Sequence, residues 1–304
     1  MSFLGAGGKM GFGGGAKGAW TPLEIDSLIA WYDVSSEEGL SNEDSMTQLT
    51  DFSDNGLDLP VHSSGAPKYM TNELNGLPVV DFRGSTGGFF RRADNVYPWN
   101  DGSGGTAYPN STDPFTVAGV VKISTGTDTS QTFFSGEDYD APTVSRPTHY
   151  GLSHRYYNSI GGYRTIILTN GLSCIQGYVG VLSTSYRVIV CRKSSGGIGS
   201  MTRNGTVVAG GPVYTGLGGG SPTADNLNSC GNDRSRSIQI GGFIGNRSSG
   251  ASAVSSAGNR MGEVIYCNQE VSTEDRQKLE GYLAHKWGLV SNLPADHPYK
   301  TDPP

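Results

Sequence analysis

Gly262-Glu-Val-Ile-Tyr-Cys-Asn-Gln-Glu-Val-Ser-Thr-Glu-Asp-Arg-Gln-Lys-Leu-Glu-Gly-Tyr-Leu-Ala-His-Lys-Trp-Gly288 holds one strand and the one convincing helix of the chain. Glu263–Asn268 is a short run rich in Val, Ile and Tyr, the composition of a strand. Ser272-Thr-Glu-Asp275 reads as a capping box, in which the serine oxygen and the acidic residue three places on satisfy orphan amides. Leu279, Leu283 and Trp287, with Tyr282 beside them, form an apolar stripe at helical spacing, and Glu274 to Lys278 is an i,i+4 ion pair. Gly288 ends the helix.

Upstream the pattern is strand, turn, strand. Leu28–Val34, Pro78–Arg83, Phe115–Ile123, Tyr163–Thr169, Tyr178–Leu182, Tyr186–Arg192, Ser200–Arg203, Thr206–Ala209 and Ser237–Phe243 are apolar, β-branched or aromatic and bounded by Gly, Asn, Asp or Pro. Within Tyr186–Arg192, Tyr186, Val188 and Val190 share one face, while Arg187 and Arg192 mark polar positions. Asn204-Gly205 between two such runs predicts a tight type I′ hairpin, because both residues tolerate positive φ. Ten strands and one late helix predict an all-β domain, a two-sheet antiparallel sandwich.

Composition agrees. Glycine reaches 46 of 304 residues, roughly twice ordinary usage, as expected of short strands joined by many turns. Residues 1–20 stand apart. Glycine alternates there with Phe3, Leu4, Met10 and Phe12, which predicts an N-terminal arm that orders against a partner, ahead of one domain over 21–304. The net charge of −6 is scattered and forms no basic stripe, which argues against a nucleic-acid partner. No run reaches the length of a membrane span, and the start lacks the apolar core of a secretory signal, so synthesis in the host cytoplasm is expected. Cys174, Cys191, Cys230 and Cys267 show neither zinc spacing nor a CxxC and read as free thiols serving as small hydrophobes, the alternative being a disulfide whose partners the sequence does not pair.

The two ends of the chain resemble the LamG-like, concanavalin A-like lectin-glucanase family. The carriers are Ser27-Leu-Ile-Ala-Trp-Tyr-Asp33, Leu49-Thr-Asp-Phe-Ser-Asp-Asn-Gly56, Leu74-Asn-Gly-Leu-Pro-Val-Val-Asp-Phe-Arg-Gly84 and Phe115–Lys122. At the other end they are Gly262–Tyr266, Ser272–Gly288 and Leu293-Pro-Ala-Asp-His-Pro-Tyr-Lys300. Asp54 departs from the family's Ser-Gly-Asn-Gly turn. The resemblance implies a jelly-roll sandwich tied to carbohydrate or protein binding, of a kind common in phage and bacterial proteins.

The chemistry is sparse. A glycosidase needs two acids across a sugar bond, and the compact E-x-D-x-x-E strand motif of sandwich hydrolases does not occur. Glu137-Asp138-Tyr139-Asp140, between Gly136 and Pro142, reads as an acidic loop. It is either solvated or a calcium site with Asp138 and Asp140 as oxygen ligands. His62, His149, His154, His285 and His297 lack metal spacing, and His285 and His297 read as packing or hydrogen-bonding groups. No GxSxG nucleophile and no phosphate loop is present. For sugar binding, Tyr97 and Trp99 in one loop-like stretch and Arg155, Tyr156 and Tyr157 in another offer aromatic faces with planar polar groups. These readings lead to a non-enzymatic virion component: a capsid decoration, fibre or tail-associated protein of a bacteriophage, homo-oligomeric. Its expected partners are virion proteins through the arm and host surface glycans. The alternative is a bacterial surface carbohydrate-binding module.

Overall fold

The computed structural model describes residues 19–62, 65–82, 88–92, 114–122, 131–138, 149–157, 162–169, 173–179, 185–194, 199–207, 236–247, 250–255 and 260–304. The strands are β1 Leu28–Asp33, β2 Gln48–Leu49, β3 Leu59–His62, β4 Lys68–Leu74, β5 Leu77–Asp81, β6 Phe89–Arg91, β7 Phe115–Lys122, β8 Gln131–Asp138 and β9 His149–Tyr157. They continue as β10 Gly162–Thr169, β11 Ser173–Val179, β12 Arg187–Lys193, β13 Gly199–Arg203, β14 Thr206–Val207, β15 Arg236–Ile240, β16 Gly242–Arg247, β17 Gly250–Ser255 and β18 Arg260–Cys267. The helix α1 spans Thr273–Lys286.

One antiparallel sheet runs β14-β13-β12-β7-β18-β5-β4, with β1 also paired to β18, and the other runs β11-β10-β9-β8-β15-β6-β3-β2. The expected all-β sandwich is the observed fold. Its interior joins Val117, Ile189, Met201 and Val264 of the first sheet to Leu49, Leu59, Phe90 and Ile240 of the second. A second apolar cluster lies on the outer face of the first sheet, where Val79, Val120, Val188 and Ile265 meet Leu279, Leu283 and Trp287.

The helix therefore adds a third layer, and it changes the reading of β12. Alternation predicted polar positions at Arg187 and Arg192, yet every residue from Tyr186 to Cys191 is buried, Arg187 included. A strand covered on both faces has no solvent side, and its sequence becomes a nearly continuous apolar run. Strands β7 and β18 show the same signature, with Phe115–Val121 and Met261–Cys267 buried throughout.

Local chemistry sets the punctuation. Asn204 and Gly205 take φ of 51° and 77°, closing the β13–β14 hairpin by the two-residue turn expected of them. Gly241, at φ 83°, splits the single strand expected over 237–243 into β15 and β16. Ser272 caps α1 by accepting from Asp275 N, and Gly288 at φ 68° ends it. Cys191 and Cys267 are buried free thiols as expected, and burial holds the Cys267 thiol up at about 12.

Gly262 sits at a bulge, where the β18–β7 register shifts between Met261 and Glu263. A Cβ there would lie 2.6 Å from the Trp287 ring, whose side chain has no room to move at 0 % exposure. Gly262→Ala should lower stability by about 1–3 kcal/mol through overpacking, read as an earlier midpoint in urea unfolding.

Candidate functional site

The family-like stretches at the two ends of the chain converge on one place. Register sets Asp33 of β1 directly opposite Glu263 of β18. Like charges facing one another across a ladder repel, and both carboxylates are buried, at 2 % and 0 % exposure. Lys286, in the last turn of α1, resolves the conflict. Its Nζ lies 2.6 Å from Asp33 Oδ2 and 2.8 Å from Glu263 Oε2. A cation in that turn is also favoured by the helix dipole.

Indole and hydroxyl donors complete the shell. Trp31 Nε1 donates to Glu263 Oε1 at 2.6 Å and Trp287 Nε1 to Glu263 Oε2 at 2.8 Å. Asp33 Oδ1 accepts from Ser35 N and Ser35 Oγ, and Oδ2 from Ser36 Oγ. Lys286 Nζ also donates to Tyr282 OH at 3.3 Å. It stands 5.5–5.9 Å from the ring centres of Trp31, Tyr282 and Trp287, within cation–π range. Trp20 and Phe52 extend this aromatic wall edge-on.

Burial pushes the Glu263 carboxyl above its ordinary value, against the pull of the adjacent ammonium. For Lys286 burial acts downward, but the Glu263 and Asp33 carboxylates outweigh it and hold the amine above its ordinary value. Burial, with Glu263 and Asp33 nearby, also holds the Tyr282 phenol up.

Two further networks hold the same end together. Asp51 accepts from Trp31 N, Ser53 N, Ser53 Oγ and Leu57 N, and Asn55 Nδ2 donates to Ile29 O. The Ser53–Gly56 turn thus keeps its place despite Asp54. On the inner face of α1, buried Glu280 accepts from Arg276 Nη1 at 2.6 and 2.8 Å and from Thr202 Oγ1. Tyr299 N donates to His297 Nδ1, which leaves the His297 Nε2 proton for Glu280 at 3.1 Å. His285 Nε2 pairs with Tyr299 O at 3.0 Å. Both closing histidines are hydrogen-bonding groups, as expected.

The residues singled out for ligands are not gathered here. Glu137 and Asp138 were expected in a loop but lie in β8, paired with β15 and β9. Gly136 does not break the strand, because it too is held in register, opposite Ile238 and Tyr150. Arg155, Tyr156 and Tyr157, also expected in a loop, belong to β9 and pair with Arg164, Tyr163 and Gly162 of β10; aromatic content that suggests a sugar platform equally favours a strand. Tyr97, Trp99, Asp140, Phe3, Leu4, Met10 and Phe12 lie outside the described residues. Among the described residues, no three His, Cys, Asp or Glu side chains form a metal-holding group.

Sequence reading used Trp31, Asp33, Glu263 and Lys286 as family markers and missed that they meet. The available signal was Glu263 itself, a lone charge inside the apolar run Met261–Cys267, which must find a partner when buried.

No family model matches the chain, and no curated protein matches it in sequence. Among solved structures, a mutant of Trypanosoma rangeli sialidase displaying trans-sialidase activity is similar over 87 % of this chain and 34 % of that one, at 14 % identity and a TM-score of 0.51. The binding domain of botulinum neurotoxin serotype D/C VPI 5993 is similar over 85 % of this chain and 52 % of that one, at 12 % identity and a TM-score of 0.48. The chain spans about a third of the sialidase's length. At such identity the sialidase likeness is one of fold, and it places this chain among β-sandwich proteins.

Proposed function

We propose that this chain is a non-enzymatic sandwich module for attachment or assembly on a bacteriophage particle, homo-oligomeric, with a surface that takes glycans. One observation carries the non-enzymatic reading: the two buried acids that the fold brings together share the Lys286 ammonium, at 2.6 and 2.8 Å. A hydrolytic pair must leave room between its carboxyls for a sugar bond or a water. Here a cation fills that space, and indole N–H groups occupy Glu263 from two sides. The arrangement is a clasp between α1 and β1–β18. Recognition then falls to other parts of the sandwich and to the glycine-rich arm, with Phe3, Leu4, Met10 and Phe12 as its docking side chains. The LamG-like resemblance supports a lectin-like body.

The test is proteomics and cryo-electron microscopy of particles from the source genome, beside a glycan array of the purified chain. Stoichiometric, symmetric copies on the particle are expected. Deleting residues 1–20 should leave the unfolding of the body unchanged while abolishing incorporation. Absence from particles would overturn the virion role, and selective array binding would then identify a free carbohydrate-binding module. Turnover of a glycoside by the purified chain would overturn the non-enzymatic reading.

A further inference from the structure

The Lys286 clasp satisfies charge, yet it also sets an amine against a carboxyl group with a second carboxyl beside both. Lys286 Nζ is 2.6 Å from Asp33 Oδ2, and Glu263 Oε2 is 2.8 Å from the same nitrogen. Three aromatic rings surround the ammonium at 5.5–5.9 Å. Asp33 and Glu263 are removed from water, while 21 % of the Lys286 side chain stays exposed. In such surroundings an ion pair loses much of its advantage over a neutral one, since charge is costly at low dielectric. Fixed contact also supplies the effective molarity that condensation lacks in solution.

We propose that Lys286 and Asp33 join in the folded chain, without another protein, through an amide bond between Nζ and Cγ, with Glu263 as the proton carrier. Lys286 passes one proton through Glu263 to Asp33 Oδ2, leaving a neutral amine beside a neutral carboxylic acid. The amine lone pair forms the bond to Cγ. Negative charge develops on Oδ1, where the Ser35 N–H and Oγ–H already point, at 3.0 and 2.7 Å, in the manner of an oxyanion hole. The Cγ–Oδ2 bond then breaks with its electron pair. Oδ2 takes a second proton from Nζ and departs as water through the exposed side of Lys286. One oxygen and two protons leave, and nothing is oxidised or reduced.

Asp33 is the acyl partner because two of its donors, the Ser35 N–H and Oγ–H, are arranged on Oδ1, the oxygen that must bear charge, while Ser36 Oγ–H donates to the departing Oδ2. Glu263 is the carrier because both its oxygens are held by indole donors, which lock it in place. Burial, which raises Glu263, suits it to accept a proton. The two carboxylates that hold Lys286 up make its deprotonation the slow step. The product would tie the end of the first strand to the last turn of the helix, closing nearly the whole sandwich covalently.

The test is the intact mass of the full chain under denaturing conditions, followed by proteolytic mapping. The expected result is a mass lighter by one water and a branched peptide joining the Asp33 segment to the Lys286 segment. Lys286→Arg, which keeps the charge but cannot form this amide, should show the full sequence mass, as should folded Glu263→Gln. A wild-type chain at full mass after prolonged incubation would overturn the proposal, and this holds even if Glu263→Gln fails to fold. Water loss mapping to Glu263, or to a succinimide elsewhere, would overturn it equally.

Discussion

Lys286→Met should lose about 3–5 kcal/mol of stability, the usual penalty for breaking one side of a buried ion pair. Methionine keeps the aliphatic length that packs under Trp31 and Tyr282, so the loss reports charge rather than volume. What remains is two carboxylates facing each other across β1–β18, at 0 % and 2 % exposure, with no cation between them. Glu263, already raised by burial and now without the pull of the Lys286 ammonium, would be raised further. The penalty from such a group is fully present above its raised folded value and is lost progressively as pH falls from there to the unfolded value. The variant should therefore recover part of its loss on mild acidification, read as a urea midpoint that moves toward wild type below neutral pH.

While Lys286 is still a free amine, the wild-type clasp has the opposite dependence at the alkaline end. Lys286 is raised, so its contribution is fully present below the ordinary lysine value and is lost as pH rises through the higher folded one. A covalent Lys286–Asp33 link would enlarge the loss in Lys286→Met, and the intact mass separates the two contributions.

Glu280→Leu should be comparably damaging, by about 3–5 kcal/mol, measured by thermal unfolding followed in both the helix and sheet signals. Glu280 is fully buried and collects Arg276, Thr202 and His297 from the helix, from β13 and from the closing segment. Leucine matches its bulk but leaves the Arg276 guanidinium buried without its carboxylate. Arg192, already lowered by burial and by the Arg276 charge, would feel that repulsion with less relief. Glu280→Gln should cost less, because an amide oxygen still accepts from Arg276 and Thr202. If leucine proved neutral, the network would be replaceable by packing, and the helix layer would rest on its apolar stripe alone.

Much of the fold was legible from residue order. The capping box at Ser272, the stop at Gly288, the Asn204-Gly205 turn and strands such as Leu28–Asp33 and Phe115–Lys122 depend on interactions within a few residues. Strands β2, β3, β4, β6, β8, β9 and β17 were not anticipated. Gln48–Leu49 and Phe89–Arg91 are too short to show a period. Gln131–Asp138 and His149–Tyr157 carry glycine, acids or mixed polar residues whose strand state depends on pairing partners far along the chain. The same cause moved Asp138 and Arg155–Tyr157 from expected loops into a sheet.

The sequence by itself determined an all-β sandwich with one capped helix near its end, because periodicity, turn residues and caps act locally. It also contained every member of the clasp, in Trp31, Asp33, Glu263, Lys286 and Trp287. Only the tertiary structure decided that these five meet, that helix α1 buries the second face of β7, β12 and β18, and that one lysine answers two acids. Those outcomes depend on which strands become neighbours and in what register. A one-residue slip of β1 against β18 would turn Asp33 to the other face of the sheet. Contacts between residues more than 200 positions apart, such as Trp31 and Glu263, come from that long-range pairing and leave no local pattern to read.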